Sequence, residues 1–174
     1  MITGTVTSIF GNDINTDDII PASYLQQSTD RTFFKDYAFE KYDPEFRQRC
    51  QQTPANIIVA GDNFGCGSSR EQAVYAIKEN HVVCVIAQSY PDIFYRNALS
   101  NGLVLITLPD TSSFCLGDAL RIDLDAGTIE NLTQGTTLTF AMNPDDRETF
   151  KQGGMIGRVR THLEEILQAQ QAHA

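Results

Sequence analysis

An α/β domain with a partly parallel sheet is what this sequence predicts, and three observations carry it. Short buried-type apolar runs alternate with helix-compatible segments through the first two thirds of the chain. One such run, Ile57-Ile58-Val59, leads through a glycine-rich turn straight into a helix-like stretch. The last third then changes to short strands separated by turns.

Along the chain, Ile2 to Phe10 is rich in β-branched residues and reads as a strand that stops at Gly11-Asn12-Asp13. Asn15 to Ala22 reads as an acidic loop, with Pro21 disfavouring a helix through Ile20. Phe33, Phe34, Tyr37 and Phe46 recur at helix-compatible intervals, predicting short amphipathic helices broken at Asp43-Pro44. Asn56 to Ala60 predicts a strand, Ser69 to Asn80 a helix, His81 to Ala87 a strand, Pro91 to Leu99 a helix and Leu103 to Leu108 a strand. Short strands are expected at Leu120–Leu124, Thr128–Leu132 and Thr137–Phe140, followed by a helix from Asp145 to Gln152, the pair Gly153-Gly154 and an amphipathic final stretch. Residues 1–167 are expected to form one domain, and 168–174 a frayed tail.

With 174 residues, 41% of them hydrophobic and 20% charged, the chain can bury one substantial core. A net charge of -9 argues against nucleic acid or an anionic membrane as partner. No apolar run approaches the roughly 20 residues that span a bilayer, and Met1 to Phe10 lacks the pattern of a signal peptide, so a cytoplasmic protein is expected. Cys50, Cys66, Cys84 and Cys115 are widely spaced with no C-x-x-C pair, which suggests reduced thiols and no metal site built by this chain. His81, His162 and His173 are likewise too scattered to form a zinc motif.

The chemistry concentrates in Gly61-Asp62-Asn63-Phe64-Gly65-Cys66-Gly67-Ser68-Ser69-Arg70-Glu71, where a buried strand turns into a helix. Glycines permit positive φ and close approach of a ligand. The helix start favours an anion, and the Arg70 guanidinium matches a carboxylate. A serine beside such positive potential can act as a base or nucleophile. The plainer reading also stands: Ser68-x-x-Glu71 and Ser69-x-x-Gln72 are both capping-box patterns, and Arg70 could be a surface ion-pair partner. The segment lacks the lysine of a P-loop and does not fit a G-x-S-x-G elbow. Asp17 and Asp18 could cap a turn, and Asp145-Asp146 suits a helix start.

The Gly61–Glu71 segment resembles the signature of the swivelling domain of the aconitase family, in the free-standing form of the isopropylmalate dehydratase small subunits. Asn15-Thr16-Asp17-Asp18-Ile19-Ile20-Pro21-Ala22 is similar to that family's amino-terminal active-site loop, and Asn97-Ala98-Leu99-Ser100-Asn101-Gly102-Leu103 to its segment before a core strand. The resemblance runs over roughly residues 1 to 160. It implies a single swivelling β/β/α domain: a mixed sheet with helices mainly on one side and a barrel-like second layer. It also implies a hydro-lyase that moves a hydroxyl between adjacent carbons of a hydroxy-dicarboxylic acid, active only with a large subunit that holds a four-iron, four-sulfur cluster.

By position in the motif, the resemblance makes Ser68 the base, Ser69 its hydrogen-bonding neighbour and Arg70 the carboxylate clamp, with Thr16 and Asp17 orienting them. Cys66 is then a small turn residue and not a cluster ligand. Gln72 departs from the family, which often has histidine there. Tyr24-Leu25-Gln26-Gln27 corresponds to the loop that helps choose the substrate, where an apolar residue suits isopropylmalate and an arginine suits homoaconitate. Gln26 is neither; uncharged, it is the better fit to isopropylmalate. The rivals are the small subunit of a homoaconitase or related hydro-lyase, and a non-catalytic anion-binding domain.

Overall fold

The structure, a computed structural model, describes residues 1–172. Chain order runs β1 (Ile2–Ile9), α1 (Thr16–Ile19), α2 (Phe46–Cys50), β2 (Asn56–Val59), α3 (Glu71–Lys78), β3 (Val82–Ala87), α4 (Asp92–Asn101), β4 (Val104–Thr107), β5 (Ala119–Asp123), β6 (Thr128–Asn131), β7 (Thr136–Thr139), α5 (Pro144–Lys151) and α6 (Gly154–Ala172). Residues 173 and 174, which include His173 and the end of the expected frayed tail, lie outside the described residues.

Among the described residues seven strands join one sheet in the order β4-β3-β2-β1-β5-β6-β7, which curls into a half-barrel. Strands β1 to β4 pair in parallel, and β5 to β7 continue from the other edge of β1 as an antiparallel ribbon. The two compositions seen along the sequence are therefore two halves of one sheet. Strand β1 is the seam between them, which is why Val6, Thr7 and Ser8 are all buried in spite of their alternating chemistry. Strand β2 is buried at every position, as expected for a parallel strand covered on both faces.

Asn56 opens β2 as a fully buried polar residue. Its amide donates to the carbonyls of Cys50 at 3.0 Å and Asn80 at 3.1 Å, and its oxygen accepts from the Thr53 hydroxyl at 2.6 Å. The side chain thereby ties together the ends of α2 and α3 beneath the sheet. On the same flank, Phe10, Phe39 and Phe46 form an aromatic cluster.

Two segments differ from the sequence expectation. Asn15–Ala22 is not all loop: Asn15 accepts from the Asp17 amide and Asp18 accepts from the Asn15 amide, so a reciprocal cap supports the single turn α1. Between Asp30 and Tyr37 the aromatic spacing produces a 3-10 turn, Arg31–Tyr37, in place of an α-helix. Asp30 caps it by accepting from the Thr32 amide at 2.9 Å.

Loss of the Asn56 side chain leaves two buried carbonyls short of donors. Asn56→Ala is expected to cost about 2–3 kcal/mol in urea-induced unfolding, whereas a loss below about 0.5 kcal/mol would contradict the account of its role.

Candidate active site

Three loops leave the carboxyl ends of parallel strands on the same side of the sheet: the one after β1, the one after β2 and the one after β3. That edge is where open α/β sheets receive ligands. Backbone hydrogen bonds sew the loops together. Gly61 donates to Gly11 at 3.1 Å, Asp13 donates to Asp62 at 2.8 Å, and Phe64 donates to Ser89 at 3.1 Å.

The tightest join lies where the two motifs of the sequence meet. The amides of Gly65 and Cys66 both donate to the Ile14 carbonyl, at 2.7 and 3.1 Å, and Thr16 N–H donates to Cys66 O at 2.8 Å. Thr16, almost wholly buried, also donates its hydroxyl to the carbonyl of Ser68 at 3.0 Å. Gly65, at φ 84°, presses against Phe94: a Cβ there would lie 2.3 Å from the ring. The glycine is thus required twice, by its backbone angle and by contact with α4.

The structure corrects the capping reading of the serines and the expected helix start at Ser69. Helix α3 begins at Glu71 with Arg70 in the cap position, and no side chain caps it. Ser68 and Ser69 precede the helix as exposed residues, and among the described residues neither hydroxyl is bonded to another protein group. Tertiary bonds to the 14–16 segment hold the chain extended through Arg70 and delay the helix by two residues.

Arg70 does have an ion-pair partner, and it is Asp17. The end of the guanidinium grips the carboxylate through Nη1 and through Nη2, the latter at 3.1 Å, while Nη1 also donates to Ile20 O at 3.3 Å. Five N–H donors are available on an arginine. Those bonds use one edge, and the Nε and remaining Nη2 donors on the other edge are free among the described residues. Arg70 is largely buried, with 11% of its side chain exposed, so its orientation is fixed before any ligand arrives. The Arg70 hydrogen bond holds the Asp17 carboxyl below its ordinary range.

A small pocket gathers Thr16, Gly67, Ser68, Ser69 and Arg70 on one wall, with Ile93, Phe94 and Asn97 of α4 on the other. The structure brings together the predicted serines, arginine and threonine, and Asp17 enters through Arg70. Tyr24, Leu25, Gln26 and Gln27 do not line this pocket. Tyr24 stacks on Tyr37 at 3.9 Å and donates to Glu40, Leu25 packs on the core, Gln27 donates to Ser23 O at 2.9 Å, and Gln26 is exposed. Sequence reasoning singled out the segment that begins at Asn97 without placing it in the site, and Gly65, whose absent side chain makes room for Phe94, was the other trace of the α4 wall.

Cys50 and Cys84 are buried, Cys66 is half-buried and Cys115 is exposed, and among the described residues no three His, Cys, Asp or Glu side chains converge on a metal position. Burial raises the Cys66 thiol above its ordinary range. Its backbone, by contrast, is engaged with both Ile14 and Thr16.

Comparison with known proteins decides the family. The profile of the aconitase C-terminal domain matches residues 1–111. Over 157 residues, 90% of this chain and 95% of the relative, the sequence is 42% identical to the 3-isopropylmalate dehydratase small subunit of Methanosarcina acetivorans. The chain belongs to the isopropylmalate dehydratase small-subunit family of aconitase-like proteins. The small subunit of Moorella thermoacetica is 46% identical over 149 residues, covering 84% of this chain and 88% of that one. A crystal structure of 3-isopropylmalate dehydratase from Methanocaldococcus jannaschii superposes with a TM-score of 0.83 at 36% identity, covering 98% of each chain. Family membership extends across both motifs and the antiparallel ribbon.

The Arg70–Asp17 pair yields a pH prediction. Because Asp17 is lowered on folding, the stabilisation from the pair is present above the ordinary carboxylate pKa and is lost as pH falls through the lowered one. A carboxyl-detected NMR titration is expected to place Asp17 below an unperturbed aspartate, and Arg70→Met to return it to the ordinary range. An unchanged Asp17 titration in Arg70→Met would remove the pair from the account.

Proposed function

We propose that this chain is the small subunit of a 3-isopropylmalate dehydratase, interconverting 2- and 3-isopropylmalate in leucine biosynthesis together with an iron–sulfur large subunit. The single observation that carries the reading is the pocket in which exposed Ser68 and Ser69 stand beside an arginine already oriented by Asp17. Close similarity over most of the chain to proteins bearing that name supports it. Residues 1–167 then act as one swivelling-type domain. The four free cysteines suit a reducing, cytoplasmic compartment.

The free edge of Arg70 binds one substrate carboxylate side-on, with two parallel N–H donors. Asp17 is the positioning residue for that arginine: it holds the end of the fork, so the side edge faces the pocket. Ser68 Oγ takes the proton from the carbon next to that carboxylate, the hydroxyl leaves the neighbouring carbon, and a double bond forms between them. Returning water with the two carbons exchanged completes the isomerisation. Serine is a weak base in water, and the nearby guanidinium favours its charged form. Ser69 supplies a second hydroxyl to the same pocket, and Thr16 holds the Ser68 carbonyl in place.

This chain supplies the base and the clamp. Lewis-acid activation of the departing hydroxyl belongs to the four-iron, four-sulfur cluster of the large subunit. By the family resemblance Tyr24, Leu25, Gln26 and Gln27 form the loop that helps choose the substrate, and Gln26, uncharged, accommodates an isopropyl group more readily than an arginine would.

The test is anaerobic co-purification of this chain with the large subunit from the same source, followed by parallel assays on isopropylmalate and homoaconitate. Isopropylmalate turnover is expected. Ser68→Ala should reduce kcat by about a hundredfold or more without loss of assembly. Preference for homoaconitate would reassign the substrate, normal turnover by Ser68→Ala would sink the base assignment, and failure to associate or react would leave an anion-binding domain.

A further inference from the structure

Helix α4 is pinned at both ends. Near its start Phe94, 2% exposed, meets Phe64 edge-on at 5.6 Å and closes on Gly65. Beyond its end Gly102 lies so close to Gly154 that a Cβ on the latter would stand 2.4 Å from the Gly102 nitrogen. The wall that α4 gives to the serine–arginine pocket is therefore held as firmly as the wall it faces.

Ile93 sits beside Phe94 and has no such structural duty. It is 54% exposed and, unlike Tyr95 and Leu99 of the same helix, does not pack against the core. A single exposed isoleucine is ordinary on a protein surface. The position of this one is not. It lines the pocket across from Ser68, Ser69 and Arg70. Among the side chains lining that pocket, the exposed ones are Ser68, Ser69 and Ile93, so two hydroxyls look across at one branched hydrocarbon. The other apolar members, Phe94 and Pro91, are buried and half-buried.

The chemistry proposed for the site gives that hydrocarbon an occupant, and the inference rests on that reading. In 3-isopropylmalate the carbon that loses its proton carries four groups: the hydrogen, a carboxylate, the carbinol carbon and the isopropyl group. Ser68 takes the hydrogen, Arg70 holds the carboxylate, and the carbinol carbon turns toward the large subunit. A tetrahedral centre with three directions assigned leaves one, and the wall left for it is α4. Tyr24, Leu25, Gln26 and Gln27 do not line this pocket and make no contact within it. We infer that Ile93 seats the isopropyl group of 3-isopropylmalate and is a specificity-determining residue of the site. A carboxylate in the same place would meet hydrocarbon and lose its hydration without a partner, so Ile93 also disfavours tricarboxylic analogues. In 2-isopropylmalate the branch stands on the carbinol carbon and the proton leaves an unbranched CH2. The Ile93 contact thus serves the two isomers unequally.

Dehydration of each isomer by the reconstituted complex, followed as ultraviolet absorbance of the unsaturated product they share, tests the assignment. Ile93→Ala is expected to lower kcat/KM for 3-isopropylmalate by about tenfold, mainly through KM, with a loss at least about threefold smaller for 2-isopropylmalate. Ile93→Leu, which keeps the hydrocarbon, should recover most of that loss. Large-subunit affinity of Ile93→Ala, read by sedimentation, should match the unaltered chain. Equal losses on both isomers, no loss on either, or a parallel fall in large-subunit affinity would overturn the assignment. An unaltered complex that dehydrates neither isomer would instead overturn the functional reading, and this assignment with it.

Discussion

The Ile14 carbonyl accepts from two successive amides, those of Gly65 and Cys66, and Thr16 answers with an amide bond to Cys66 and a hydroxyl bond to Ser68. Around that junction the rest of the site is arranged. It joins the loop after β1 to the loop after β2 and keeps the chain extended through Arg70. The serines therefore stand in front of α3 instead of being consumed as its caps. A join made of backbone groups is insensitive to many side-chain changes, but it demands glycine where Phe94 closes in from the opposite wall.

Charge is arranged with similar economy. A lone guanidinium, nine-tenths covered, would be costly to keep beside a pocket. Asp17 compensates it through one edge of the fork and leaves the other edge for a ligand. The carboxylate stays half-exposed, so the pair sits at the boundary of protein and solvent, where its attraction is moderate and its main effect is orientation. The net charge of -9 repels anions at long range, and the oriented arginine supplies local positive potential beside the pocket.

Much of this was legible in the sequence. Strands β1 to β4 announced themselves because runs such as Ile57-Ile58-Val59 have no other low-cost conformation between glycine and polar turns. The Gly61–Glu71 motif located the pocket because its residue types are chemically unusual together. What sequence reasoning could not see was set by contacts distant along the chain. The capping-box patterns at Ser68 and Ser69 are real locally, yet a hydrogen bond from Thr16, 52 residues away, overrides them. The α4 segment from Asn97 was noticed but not placed in the site, because Ile93 and Asn97 approach Ser68 only through the parallel order of β2 and β3. The family resemblance supplied the roles of Thr16 and Asp17, and the geometry gives a physical reason for each: one holds a backbone, the other a guanidinium.

Thr16→Val tests the central junction most directly, since it removes only the hydroxyl that holds Ser68 and keeps the buried shape. With Ser68 in its proposed role as base, steady-state kinetics of the reconstituted complex should show kcat reduced by about tenfold or more through lost alignment, with KM and large-subunit affinity little changed. An unaltered kcat would mean that the Thr16–Ser68 bond does not position the base, and would contradict the account of how this site is built.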